Sequence, residues 1–387
     1  MKAIRIILRG SQRSSDHCPV SVDVEEPAAR IEGMTLIDEA AGGTPVPFQV
    51  ESLGSGARVH WIVESIAAEQ ERAYVLRRSK LDLTLTPVRV KREAPDRIAV
   101  TVGGAPFTNY IYGDSVSKPC LYPVPGPFGG GVTRAYPLEK MKDDSTDHVH
   151  HRSLYVAWGD VNGSDNWSEE EGHGRVAHRR FEATTGGPVF GRIVSHNDWV
   201  DAAGIRLMRD RQEYRIYNTP PSFRLLDATV TFTASEGDVR FGDTKEGGIL
   251  SARVASSMEV KREGSRGRIE TSLGALNEAE TWGKRAAWCD YSGLVNGRIV
   301  GLALLDHPRN PRYPTYWHVR NYGLMTANPF GESFFVGPER DGSYVLPAGE
   351  SATFRYRVLI HAGRAADGGV AGRYLDWIFP PQARTEA

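Results

Sequence analysis

Apolar and polar residues alternate in short runs along almost the whole chain. From Cys18 to about Ser79 the runs are PVSVDVE, MTLIDEA, VPFQVES, RVHWIVES and AYVLRRS, separated by Gly, Pro and polar clusters. Period-two alternation places successive side chains on opposite faces of a pleat. These runs therefore predict a small antiparallel β unit of about half a dozen strands. The stretch IAAEQERAYVL could pass for a helix, but it is too short to weigh against the alternation around it. Alternation continues through LDLTLTPVRVKRE and RIAVTVGG without a clear linker. We divide the chain into a small N-terminal β domain, residues 1–88, and a large β-sandwich, residues 89–387.

Residues 106–180 change character. PFTNYIYGDSVSKPCLYPVPGPFGGGVTRAYP is rich in Gly, Pro and Tyr and precedes DDSTDHVHHRSLYVAWGDVNGSDNW. Strand-like runs then resume with RVAHRRFEAT, VFGRIVSHNDWV, RLMRDRQEYRIYN and FRLLDATVTFTA, and later RIVGLALLDH and SATFRYRVLIHAG. They recur at intervals of about 10 to 15 residues, and helical periodicity is nearly absent. The tail GGVAGRYLDWIF is the best helix candidate. The fold class predicted is all-β, a large antiparallel β-sandwich with a small N-terminal β domain.

One stretch breaks the pattern. Asp306 to Gly331, DHPRNPRYPTYWHVRNYGLMTANPFG, has four prolines and is dense in imidazole, guanidinium and aromatic groups but poor in Val, Ile and Leu. Such a segment is a poor core strand and predicts a loop forming one wall of a polar pocket. The competing reading is an ordered surface loop pinned by its aromatics.

Bulk properties exclude several classes. Lys plus Arg is 47 against 48 for Asp plus Glu, so a net charge of -1 argues against a nucleic-acid or anionic membrane surface. No apolar run approaches the length of about 20 residues that a membrane span needs. The three cysteines, Cys18, Cys120 and Cys289, are odd in number and contain no CxxC, which argues for a reducing compartment over a disulfide framework. The expected location is the cytoplasm. There is no G-x-S-x-G, Walker A or H-E-x-x-H, and the GGG at 129–131 does not sit between a strand and a helix.

Three constellations can carry chemistry. Asp147, His148, His150, His151 and Arg152 lie in DHVHHR; on a strand, His148 and His150 would share a face. Such a pair can chelate a divalent metal, or supply a general acid and a hydroxyl-binding group. The imidazoles could instead satisfy loop backbone. In FGDTKEGG, Lys245 and Glu246 sit at a strand end, either as a solvated surface pair or with Glu246 facing the pocket as a base or nucleophile. In TWGKRAAWCDYSG, Trp282, Lys284, Arg285, Trp288 and Asp290 combine indoles with charges, as do Tyr155, Trp158, Asn162 and Trp167 further upstream. Sugar rings stack their CH faces on such aromatics while charged partners take the hydroxyls. Each tryptophan taken alone is as readily a core residue.

Together KPCLYPV, TDHVHHRSLYVAWGDVNGSDNW, GDTKEGG, WGKRAAWCDYSG and the 306–331 stretch resemble a bacterial family labelled PmoA-like, DUF6807. The resemblance covers about residues 20 to 362. A true methane monooxygenase subunit would span a membrane, and this chain has no such run. The resemblance implies a sandwich of the galactose-mutarotase-like supersandwich type and a link to carbohydrate catabolism. The motif positions it carries over are His148, His150, His151, Arg152, Lys245, Glu246, Arg285, Trp288, His307, His318 and Arg320. Cys120 stands where an aromatic is usual and Val149 where proline is usual.

The expected function is a carbohydrate-active enzyme, hydrolase or lyase/epimerase in type, acting on a small-molecule carbohydrate. His148, His150, His151 and His318 are the acid–base candidates, with Glu246 as base or nucleophile. Arg152, Lys245, Arg285, His307 and Arg320 would hold the substrate, and Trp158, Trp288 or Trp317 would stack on its ring. No cofactor is predicted, and a divalent metal remains open. The alternatives are a non-catalytic carbohydrate-binding protein, or a metal-dependent oxygenase or hydrolase in which His307 or His318 joins His148 and His150.

Overall fold

A computed structural model describes residues 3–79 and 86–386 of the chain. The first five residues of the LDLTLT run lie outside the described residues. Two compact units emerge: residues 1–88 with 186–190 and 371–387, and residues 89–185 with 191–370.

In the first unit, a three-stranded sheet (Ser15–Val24, Gly56–Ile66, Phe48–Leu53) and a five-stranded sheet share a core around Trp61, Tyr74, Val59, Leu36 and Leu8. The five-stranded sheet contains Ile4–Arg9, paired on one side with Glu71–Arg77 and on the other with Gln382–Glu386. That last strand, QARTE, is mostly exposed and carries no alternation, so only its pairing reveals it. IAAEQERAYVL is not helical. It holds the end of Gly56–Ile66, a turn, and Glu71–Arg77, because Tyr74 and Leu76 alternate into the core. The tail does form a helix, Val370–Ile378.

The second unit is a sandwich of two antiparallel sheets. Its eight-stranded sheet runs Arg175–Thr185, Phe190–Val200, Arg206–Tyr217, Phe223–Thr233, Ser351–Ala362, Arg298–Asp306, Trp288–Val295, Arg268–Thr271. Its nine-stranded sheet runs Lys284–Arg285, Tyr316–Val319, Leu324–Asn328, Gly247–Arg253, Leu154–Trp158, Cys120–Tyr122, Ala105–Ile111, Arg97–Val102, Arg89–Ala94.

Register assigns the two faces of the nine-stranded sheet, because residues directly opposite in an antiparallel ladder share a face. One face carries the buried row Tyr110, Leu121, Leu154, Ala252, Met325 and Val319. It packs on the eight-stranded sheet: the Tyr110 ring lies 5.8 Å from Tyr214, and its hydroxyl is 2.8 Å from Ser195 Oγ. The other face carries Ile111, Cys120, Tyr155, Ser251, Thr326 and His318. This row is half polar.

The 306–331 stretch departs from its expected loop. It contributes two strands to the nine-stranded sheet, Tyr316–Val319 and Leu324–Asn328, and most of it is buried. Trp317, Val319, Met325 and Ala327 form the apolar half of its pleat and His318, Thr326 and Asn328 the polar half. Both halves are covered, so burial did not require a run of Val, Ile or Leu. Among the described residues, no helix is long and apolar enough to cross a membrane.

Candidate functional site

The site is built on the half-polar row. Ser251 Oγ donates to Thr326 Oγ1 at 2.9 Å, and Thr326 Oγ1 donates onward to the Gly247 carbonyl at 3.1 Å. Gly248 makes this approach feasible, since a Cβ there would fall 1.5 Å from Thr326 Oγ1 and 2.2 Å from Ser251 Oγ. Thr326 is the cross-strand neighbour of His318 at one end, and Ser251 that of Tyr155 at the other.

Above Tyr155 sits the histidine segment. It is a turn and not the strand whose alternation would pair His148 with His150: the His151 amide donates to the His148 carbonyl at 3.0 Å, and His148 has φ of 46°. The i to i+3 geometry stacks the His148 and His151 rings at 4.8 Å and 1°, with Tyr322 stacked on His148 at 4.8 Å. His150 meets His151 edge-on at 4.4 Å. Tyr155 and Trp167 close the cluster, each ring within 6.4 Å of His151.

Two fully buried arginines hold this turn. Arg134 donates to Asp147 Oδ1 at 2.7 Å and to the Asp147 and His148 carbonyls. Arg253 reaches the same Oδ1 at 2.7 Å, Glu259 at 3.1 Å, and His151 Nδ1 at 3.1 Å. Burial alone would raise the Asp147 pKa, but Arg253, His148, Ser145 and Arg134 together hold it at about 2. A second buried network lies alongside. Lys118 donates to the Trp167 carbonyl at 2.6 Å and lies 3.4 Å from Glu169, which also takes two N–H groups of Arg152. Burial brings the Lys118 pKa down to about 8 against the pull of Glu169.

Two imidazoles are fixed in opposite tautomers. A guanidinium only donates, so His151 Nδ1 accepts from Arg253 and its proton sits on Nε2. A carbonyl only accepts, so His318 Nδ1, 2.6 Å from the Lys245 carbonyl, carries the proton and Nε2 keeps a lone pair. Both Nε2 atoms are buried without a partner among the described residues, as are the indole N–H groups of Trp167 and Trp282. Trp282 packs edge-on to His318 at 6.3 Å. Each orphaned polar atom costs about 1–3 kcal/mol. With the Tyr155 hydroxyl, five such atoms around one sheet face mark a place where the oxygens of a ligand or of water belong.

Both histidines are neutral at pH 7. Burial, then the charges of neighbouring His150 and Arg253, pushes His151 well below the ordinary imidazole value. Burial likewise lowers His318, opposed by the hydrogen bond to the Lys245 carbonyl and by the Glu246 charge, with the Arg320 and Lys245 charges adding to the lowering. His150 is brought down to about 4, by burial first and then by Lys118 and His148. The Glu246 charge opposes the lowering of His150 and His318 and adds to the raising of Tyr322. The Glu246 side chain is half-exposed, 3.2 Å from Lys245 Nζ.

A pH dependence follows. Between pH 6.5 and 4 an unfolded histidine takes up a proton that the folded His150 site refuses, so the stabilisation is complete above about pH 6.5 and is lost as pH falls toward 4. The melting temperature is expected to drop across that window, and to drop less in His150→Gln. An equal drop in both proteins would refute this assignment.

Of the residues singled out in the sequence, the structure brings together His148, His150, His151, Arg152, Lys245, Glu246, His318 and Arg320. Arg320 stands 2.8 Å from Glu278 and 5.4 Å from the Tyr322 ring. The others lie elsewhere. Trp158 is wholly buried, bonded to the Gly242 carbonyl at 3.1 Å and packed on Phe241 and Phe330. Trp317 points to the opposite face from His318 and bonds the Ala286 carbonyl at 2.9 Å. Arg285 braces the backbone of Arg312 to Pro314. Trp288 is buried in the eight-stranded sheet, and His307 takes its electrostatic surroundings from Arg355, Arg309, Asp227 and Arg357. Among the described residues no three His, Cys, Asp or Glu side chains form a metal-holding group, because the His148 and His151 rings stack instead of converging.

Sequence reasoning passed over Arg134, Arg253, Lys118, Glu169, Ser251 and Thr326. Arg253 had one visible signal: a guanidinium closing the strand GGILSAR, whose one other polar side chain is Ser251 and where every residue is buried.

The family whose sequences match this chain is described as a family of unknown function, DUF6807, and the match covers residues 97–374. No curated protein matches the chain. Solved structures with a similar fold include a protein in glycosyl hydrolase family 38 from Enterococcus faecalis, with TM-score 0.45 and 11% identity, covering 100% of this chain and 47% of that one. The chain thus spans about half the length of that protein. A galactose mutarotase related enzyme from Lactobacillus acidophilus has TM-score 0.33 and 7% identity, covering 71% of this chain and 97% of that one. A GalM/aldose epimerase homologue from C. elegans has TM-score 0.32 and 8% identity, covering 72% and 99%.

Proposed function

The chain belongs to the DUF6807 family of unknown function, and from its site we propose that it is a carbohydrate-active enzyme working by acid–base chemistry on a sugar. The observation that carries this reading is the pair of neutral imidazoles with opposite tautomers, each ending in a buried, unpartnered Nε2. His318 is the base, taking a proton from a substrate C–H or O–H through its lone pair. His151 is the hydrogen-bond donor to the oxygen on which negative charge builds, a role suited to a neutral imidazole with a guanidinium behind it. Ser251 and Thr326 lie between them with their hydroxyl protons committed, to Thr326 and to the Gly247 carbonyl, and Trp167, Trp282 and Tyr322 supply ring faces and edges.

This division of labour suits epimerisation, ring opening or elimination better than hydrolysis. Two-carboxylate hydrolysis needs a free pair flanking the bond. Here Asp147, Glu169, Glu259 and Glu278 are each engaged by an arginine, and Glu246, paired only with Lys245, remains.

The tautomers can be read without a substrate. Imidazole 15N–1H correlation spectra of labelled protein at pH 7 should show a proton on Nε2 of His151 and on Nδ1 of His318; the reverse arrangement would remove the assigned roles. Activity is tested by incubating the protein with a panel of native and oxidised mono- and oligosaccharides. Glu246→Gln should cut turnover of whatever is converted by at least about tenfold while retaining binding, since the Glu246 charge supports the basicity of His318. Binding without product over long incubation would favour a non-catalytic sugar-binding protein.

A further inference from the structure

The row of side chains does not stop at Tyr155. It continues through Cys120 to Ile111, and over that end of the same sheet face lies a cavity of about 530 Å³. Its volume is that of a small-molecule site. One apolar cluster underlies both places. Ile111, Tyr122 and Leu138 line the cavity, Tyr155, Trp167 and Tyr322 belong to the imidazole site, and all six pack in that one cluster.

The rim of the cavity is polar and partly uncommitted. The Arg97 guanidinium and the Asn109 amide line it with no side-chain hydrogen-bond partner among the described residues. Glu139 accepts from the Tyr122 hydroxyl at 2.8 Å and keeps its second oxygen. An aromatic and aliphatic floor with donors and a carboxylate at the edge is the lining a sugar ring needs. From the Ile111 and Tyr122 strands to Ser251 and Thr326 is about three strand spacings, or roughly 14 Å. That is further than one pyranose reaches.

We propose that the ligand is an oligosaccharide of at least three units, and that this cavity is a distal subsite holding a unit remote from the reacting one. The proposal rests on the carbohydrate reading above and goes beyond it in naming the length class of the substrate and a second place of contact. Arg97, Asn109 and Glu139 would set preference for chain length without touching the reacting atoms.

The test uses a reporter in the cavity. Cys18, Cys120 and Cys289 are all buried, so a Ser115→Cys substitution, at an exposed cavity-lining residue given no part in holding the sugar, introduces an accessible thiol against a silent background. Its alkylation by iodoacetamide is timed in the presence of xylose, glucose or galacturonate and of xylotriose, cellotriose or trigalacturonate. Occupancy of the imidazole site is followed separately through the part of the tryptophan fluorescence change that a Trp282→Phe substitution removes, since Trp282 packs on His318 and lies outside the shared cluster. A trisaccharide present at ten times its dissociation constant should slow alkylation about tenfold, while its monosaccharide quenches fluorescence and leaves alkylation unchanged. A trisaccharide that quenches but does not protect, or a site that accepts only monosaccharides, overturns the subsite and leaves the carbohydrate reading standing. No response to any sugar overturns the carbohydrate reading and the subsite with it.

Discussion

His318→Asn should lower turnover by about 10²–10⁴-fold, the range that removal of a positioned general base produces. Asparagine can still donate its side-chain N–H to the Lys245 carbonyl, as His318 Nδ1 does, so the local fold is kept. It cannot supply the lone pair of Nε2. The variant should therefore retain sugar binding, with a melting temperature close to that of the parent. In the parent, the acid limb of the pH–rate profile should fall below the ordinary histidine value, because burial lowers His318. The measurement is kcat and KM on the substrate found in the sugar screen, with a thermal melt beside it. Turnover within tenfold of the parent would remove His318 from the chemistry and leave Glu246 as the base.

The second large effect is on stability. Arg253→Met should destabilise the protein by about 3–5 kcal/mol, because breaking a buried charge pair strands its partners. Glu259 is buried and would lose its guanidinium at 3.1 Å, keeping Ser145 Oγ at 3.0 Å and Lys261 Nζ at 3.8 Å, and Asp147 would lose one of its two buried guanidinium partners. Methionine refills the space of the aliphatic stem, so the packing lost is that of the guanidinium itself. His151 would also lose the donor that sets its tautomer. Arg253→Lys should recover part of the stability by restoring the charge, but not the fork that reaches Asp147, Glu259 and His151 together. Urea unfolding of the three proteins is the measurement; a loss below about 1 kcal/mol in Arg253→Met would mean water or rearrangement compensates the stranded carboxylates.

Much of the fold was legible because alternation is local. A run such as RVHWIVES shows its buried face in eight residues, and the core of the first unit falls on those faces. The C-terminal strand was not legible, since Gln382–Glu386 is mostly exposed and exists through pairing with Ile4–Arg9. The 306–331 stretch misled for a related reason. Its polarity was read as exposure, whereas His318, Thr326 and Asn328 are buried polar groups satisfied in part by the backbone of residues 244–247.

By itself the sequence determined an all-β chain and the presence of clustered histidines, a Lys–Glu turn and many aromatics, whereas the division at residue 88 left residues 186–190 and 371–387 in the sandwich and the structure groups them with the N-terminal unit. Only the tertiary structure decided which of these meet. The row Cys120, Tyr155, Ser251, Thr326, His318 draws on five strands far apart in sequence, and its face is chosen by register. The same folding commits Arg152 to Glu169 and Arg285 to a turn, sends Trp158 and Trp317 to the core, and protonates His151 and His318 on opposite nitrogens. Periodicity is a property of neighbouring residues, but protonation state and availability depend on partners that only strand pairing brings close.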